Sequence, residues 1–135
     1  MQGLNKDKGN IHWVWPVLLM VVIFIESSIP MDGGPDNIAF LTNLDPEIQN
    51  FLHIPLYGAL AFLWLRFFYA SKQISKSAIF CGLIITILYG GLDEIHQSFV
   101  RGRYGGLFDI YLNSVGAVLG TVVFLKPWKG FKKGT

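Results

Sequence analysis

The sequence predicts an all-α fold: a four-helix transmembrane bundle with both termini cytoplasmic. Three observations carry this. Hydrophobic residues make up 52% of the 135 and charged ones only 15%, a lower charge than a soluble domain of this length carries. Four apolar windows are long enough to cross a bilayer, each needing ~20 residues. The cationic residues gather beside the ends of these windows on one side. Strands are excluded because the runs are continuously apolar, whereas a membrane barrel alternates apolar and polar residues.

The first helix is placed at about 12–28. Lys6 and Lys8 give it a basic start, but Glu26, Ser27, Ser28, Ile29 and Pro30 lack a small-x-small cleavage pattern, so it reads as a retained helix. Pro16 sits near its start, where a missing N–H costs least. The second helix is placed at about 51–70, the third at 77–97 and the fourth at 107–125. Little chain remains for anything else, so residues 1–135 read as one membrane domain. Asp32, Gly33, Gly34, Pro35, Asp36 and Asn37 mark a loop, and Arg101 to Gly106 form a short glycine-rich connection. Cys81 lies within the third window as a small packing residue, and a lone cysteine forms no intrachain disulfide.

Orientation follows from the positive-inside rule. Lys6, Lys8, Arg66, Lys72, Lys76, Lys126, Lys129, Lys132 and Lys133 fall on one side. Arg101 and Arg103 fall on the other, with the acidic loop of Asp32, Asp36, Asp45 and Glu47. Trp13, Trp15 and Trp128 then sit at the cytoplasmic interface. With a net charge of +2 and lysines confined to helix ends, the pattern is a topology signal and no nucleic-acid footprint.

The polar residues share one depth. Glu26, Ser27 and Ser28 end the first helix on the outer side, and His53 begins the second there. Asp93, Glu94, His96 and Gln97 end the third, and Asp109 begins the fourth. Helical stepping of three and four residues aligns His53, Tyr57, Leu60 and Trp64; Thr86, Gly90, Asp93 and Gln97; and Asp109, Asn113, Gly116 and Gly120. Gly116-x-x-x-Gly120 permits close helix approach. Each stripe is small or apolar inward and polar outward, so the packed stripes form a closed floor under a polar cup.

Ionisable groups within a membrane are functional candidates by default. Asp93, Glu94, His53 and His96 are the catalytic candidates, as acids, bases or imidazoles oriented by a carboxylate. Arg101 and Arg103 are the candidates for holding phosphate. Gln97, Asp109, Asn113, Glu26 and Tyr57 complete the substrate-binding set. A divalent cation would find oxygens on Asp93, Glu94, Asp109 and Glu26, whereas the histidine spacing is weak for zinc. The structural alternative is an ion-pair network that fixes helix ends. In it, Ser27 and Ser28 bond orphan carbonyls and Asn113 holds Asp109.

The run Tyr89-Gly90-Gly91-Leu92-Asp93-Glu94-Ile95-His96-Gln97-Ser98-Phe99, a Gly102-Arg103 loop, and then Asp109, Asn113 and Gly116 together resemble the VanZ-like family of bacterial membrane proteins. Ser27-Ser28-x-Pro30 and His53-x-x-x-Tyr57 are similar to that family's first-helix ending and second-helix opening. Asn50 stands where the family often has lysine, and Arg101 where it often has proline. The resemblance implies a multi-pass protein of the bacterial cytoplasmic membrane, and the lysine distribution turns its site outward. It also implies a cell-envelope role linked to resistance to the glycopeptide teicoplanin. The partner it implies is a phospholipid or lipid-linked cell-wall precursor. An intramembrane hydrolase or transferase is one reading; a non-catalytic binder or scaffold is the alternative. Transport is a further alternative, disfavoured for a monomer because transporters place polar groups near the midplane; a homo-oligomer could form a path.

Overall fold

In a computed structural model the chain is described over residues 11–34, 45–69 and 75–131, with backbone alone at 46 and 127–131. A 3-10 turn at Ile11–Trp13 leads into α1 (Val14–Ser27). It is followed by α2 (Pro46–Tyr69), α3 (Lys76–Gln97) and α4 (Leu107–Phe131), and no strand occurs among the described residues. Helices α2, α3 and α4 are long and apolar enough to cross a membrane. The segment Ile11–Ser27 is shorter, spanning about 25 Å at ~1.5 Å per residue against a hydrocarbon core of ~30 Å. These apolar helices mark a multi-pass membrane protein.

Local chemistry sets the helix ends. Helix α2 begins at Pro46, upstream of the expected Phe51, because Asp45 caps it. The Asp45 carboxylate accepts the Glu47 N–H at 2.9 Å, and proline suits the first helical position. Ser75 caps α3, its Oγ accepting the Ala78 N–H at 3.0 Å. Among the cations that orient the chain, Lys6, Lys8, Lys72, Lys132 and Lys133 lie outside the described residues, as do the side chains of Trp128 and Lys129. Arg66, Lys76 and Lys126 lie at the bundle end opposite Arg101 and Arg103.

The bundle is inside out relative to a soluble globule. Large apolar side chains such as Val22, Ile25, Leu88, Leu92, Val122 and Val123 are exposed, while Ser27, Thr86, Asp93, Glu94, Gln97 and Asn113 are buried. In a bilayer this is favourable, since lipid solvates the apolar exterior and polar groups must find partners inside. Thr86 and Thr121 satisfy their hydroxyls on carbonyls one turn back, Gly82 O at 2.8 Å and Ala117 O at 2.9 Å.

Helices α2 and α4 form the most extensively packed pair. A Cβ on Gly116 would collide with Ile54 O, and one on Gly120 with Gly58 O, so only glycine lets these backbones come so close. Helix α3 packs against both, with Gly90 against Asn113 and Tyr57. Helix α1 touches the bundle over a smaller surface. Its core contribution is Ile23, packed with Tyr57 and Leu60.

Candidate functional site

The three stripes turn inward. His53, Tyr57 and Leu60 of α2, Thr86, Gly90, Asp93 and Gln97 of α3, and Asn113, Gly116 and Gly120 of α4 are all buried. At the end where α1 and α3 finish and α2 and α4 begin, their polar members form a linked network. Asp93 and Glu94 lie at its centre, 4% and 3% exposed.

Asp93 Oδ2 accepts the Tyr57 hydroxyl at 2.9 Å and the Gln97 amide at 3.1 Å. The Gln97 amide also reaches Ser27 Oγ at 3.3 Å. Asp93 Oδ1 is enclosed and has no hydrogen-bond partner among the described residues. Glu94 accepts the Asn113 amide at 3.2 Å on Oε1 and the Gly106 N–H at 3.3 Å on Oε2. Asn113 also bridges to His53, with Oδ1 2.9 Å from Nδ1. Because the Asn113 nitrogen is turned to Glu94, its oxygen faces His53 and accepts there, so His53 Nδ1 carries the proton and Nε2 the lone pair. His53 Nδ1 lies 3.7 Å from Glu94 Oε1.

His96 is not brought to His53. It turns toward α1, stacks on Phe24 at 4.7 Å and places Nε2 2.9 Å from Ser28 Oγ. Ser28 Oγ donates to Phe24 O at 2.6 Å, the expected use of a serine hydroxyl at a helix end.

The arginines are engaged by the fold. Arg103, only 7% exposed in its side chain, holds the end of α1. Its Nη2 bonds Glu26 Oε1 at 2.6 Å and Glu26 O at 2.7 Å, and its Nε bonds Ile29 O at 2.9 Å. A cation at a helix C-terminus meets carbonyls that lack intrahelical donors. Arg101 is exposed and pairs with Asp32 at 3.5 Å. Between them Gly102 adopts φ +76°, and a Cβ there would collide with the backbone of Met31 and Asp32.

A cavity of about 970 Å³ opens beside this network. Glu26, Arg103, His53, Gln97 and Asp109 form its polar lining, and Asp109 Oδ1 has no hydrogen-bond partner among the described residues. Asp93, Glu94, Tyr57 and Asn113 do not line it; they stand behind His53 and Gln97 and hold them in place. Apart from Asn50, the sequence left the other wall unmarked. Gln49 and Asn50 extend the polar rim, and Leu52, Pro55, Leu56 and Ala59 form an apolar wall running down α2. Gln49 stands one turn before His53, which was the available signal. Pro55 and Ala59 also line an apolar groove of about 430 Å³ along the α2–α4 seam, with Gly58, Gly116 and Gly120.

For a metal ion, His53, Asp93 and Glu94 each offer one ligand atom within 4.8 Å of the other two. Asp109 and Glu26, expected alongside them, stand outside this group.

No curated protein and no solved structure matches the chain. A family model described as VanZ/LLP1 matches residues 12–129. With nearly the whole chain covered, and with the conjunction of helix ends just described, this protein belongs to the VanZ/LLP1 family.

Proposed function

We propose that the protein binds the head group of a membrane amphiphile, a phospholipid or lipid-linked cell-wall precursor, at the outer face of the bacterial cytoplasmic membrane. The observation that carries this is the cavity of about 970 Å³, polar at one end and apolar along α2. Its size falls in the ordinary range for small-molecule sites, roughly 300–1,000 Å³. Pro55 and Ala59 also line the neighbouring apolar groove, so an apolar surface for an acyl or prenyl chain adjoins the polar end.

The polar end is rich in acceptors. Asp109 contributes a carboxylate oxygen with no hydrogen-bond partner among the described residues, while the Arg103 guanidinium is engaged by Glu26 and Ile29. This chemistry suits the hydroxyls or amine of a head group better than bare phosphate. The outward orientation rests on the lysine distribution, and the link to teicoplanin resistance on the family.

Native mass spectrometry of the detergent-purified protein tests the reading. Wild type should retain a phospholipid or lipid-linked precursor. Ala59→Trp, which fills the wall shared by cavity and groove, should reduce retention at least about tenfold, the effect of ~1.4 kcal/mol. Equal retention by both would sink it.

A second reading is catalytic and rests on His53. With Nδ1 held by Asn113, its Nε2 is free to take a proton from a hydroxyl or water in a hydrolase or transferase. His53→Gln would then keep lipid retention and abolish turnover, whereas the binder reading expects no turnover in wild type.

A further inference from the structure

We infer that His53, Asp93 and Glu94 form a binding site for one divalent transition ion, of the zinc or manganese kind, in the wall of the cavity. The three ligand atoms come from two helices that Gly90 allows to approach closely. They lie within 4.8 Å of one another. Two oxygens on opposite sides of an ion at roughly 2.0–2.4 Å are about 4–4.8 Å apart, so the spread suits a shared centre with little rearrangement.

Two further observations point to a cation. Asp93 Oδ1 is enclosed and accepts no hydrogen bond among the described residues, although its partner oxygen accepts two. The pair also lacks an arginine or lysine partner among the ion pairs described: the Arg103 guanidinium is engaged by Glu26 and by α1 carbonyls. Ionised, two buried carboxyls need a compensating charge, which a bound cation would supply. The surroundings have the form of an outer shell: Asn113 donates to Glu94, and Tyr57 and Gln97 donate to Asp93. The His53 nitrogen that faces Glu94 is Nδ1, 3.7 Å from Oε1, so the ion would take the place of the proton it shares with Asn113. One imidazole among carboxylates favours zinc or manganese over magnesium or calcium. His53 lines the cavity, which supplies the entry path.

The inference stands apart from lipid binding, which needs only the cavity. It also replaces proton transfer by His53, since an imidazole that binds an ion through Nδ1 carries its proton on Nε2 and has no lone pair left for that reaction.

The test uses the full-length protein in detergent, stripped with a chelator, dialysed, and titrated with Mn²⁺ and with Zn²⁺. One ion per chain should bind. Asp93→Asn and Glu94→Gln should each weaken binding at least about 100-fold, beyond the ~10–100-fold typical of outer-shell changes. Asp32→Asn, in an exposed ion pair, should leave it unchanged. Absence of binding, or binding that survives both carboxylate variants, overturns the site. Should those variants not fold, the spin-echo spectrum of Mn²⁺ on wild type decides. A directly bound histidine nitrogen supports the site, and no nitrogen coupling overturns it.

Discussion

Helices α2 and α4 are joined by the close approach of backbones, whereas α1 is attached chiefly through directional bonds along its C-terminal half. The first contact depends on shape: Gly116 and Gly120 leave no space for a Cβ where the helices meet, and Gly58 leaves little. The second depends on charge and hydrogen bonding, through Arg103 on Glu26 and Ile29, His96 beside Ser28, and Tyr89 donating to Met20 O at 2.6 Å. In lipid the exclusion of apolar surface from water does not hold helices together, so a membrane bundle uses close packing and polar bonds instead. Here the two means are assigned to different helices. The cavity lies between them, walled by α2 on one side and edged by Glu26 and Arg103 on the other.

The largest effect should come from the seam. Gly120→Leu forces a side chain into Gly58 O and should destabilise by about 3 kcal/mol or more, the upper part of the overpacking range. Thermal unfolding in detergent would read this as loss of the cooperative transition. Survival of a wild-type transition would show that the seam is not the rigid half.

Arg103→Gln should follow. Its bonds to Glu26 are charge-assisted, and losing such bonds costs about 1.5–3 kcal/mol. The expected signature is a lower midpoint together with faster labelling of a cysteine placed at Ser27, with Cys81 removed, because the end of α1 is released while the seam persists. Unchanged labelling would place the attachment of α1 elsewhere.

The smallest effect should be Arg101→Gln. That pair is exposed, at 66% and 31% for the two side chains, and exposed pairs contribute about 0–1 kcal/mol. A shift as large as that of Arg103→Gln would contradict the assignment of the clasp to one guanidinium.

Much of this was legible in the sequence. Stepping by three and four residues picked out the faces that pack, because helical geometry alone decides which residues share a stripe. His53, Asp93, Gln97 and Asn113 were found in this way. The partners were not legible. Arg103 could have met a ligand, Asp93 or Asp109; the rotation and height of α1 deliver Glu26 to it instead. His96 follows Glu94 by two positions, and at about 100° per residue it faces α1 rather than α2. A polar cup was expected at this end, but its apolar extension along α2 was not, because a void arises from helices failing to pack and no residue type encodes it. Its apolar wall of Leu52, Leu56 and Ala59 reads in sequence as ordinary lipid-facing surface.

The segment after α1 and the connection between α3 and α4 are tied by one backbone bond, Met31 N–H to Arg101 O at 2.9 Å, across the left-handed turn at Gly102. Two stretches distant in the chain thereby make one continuous rim. A ligand that grips this rim would sit beside Arg103, whose guanidinium holds the end of α1.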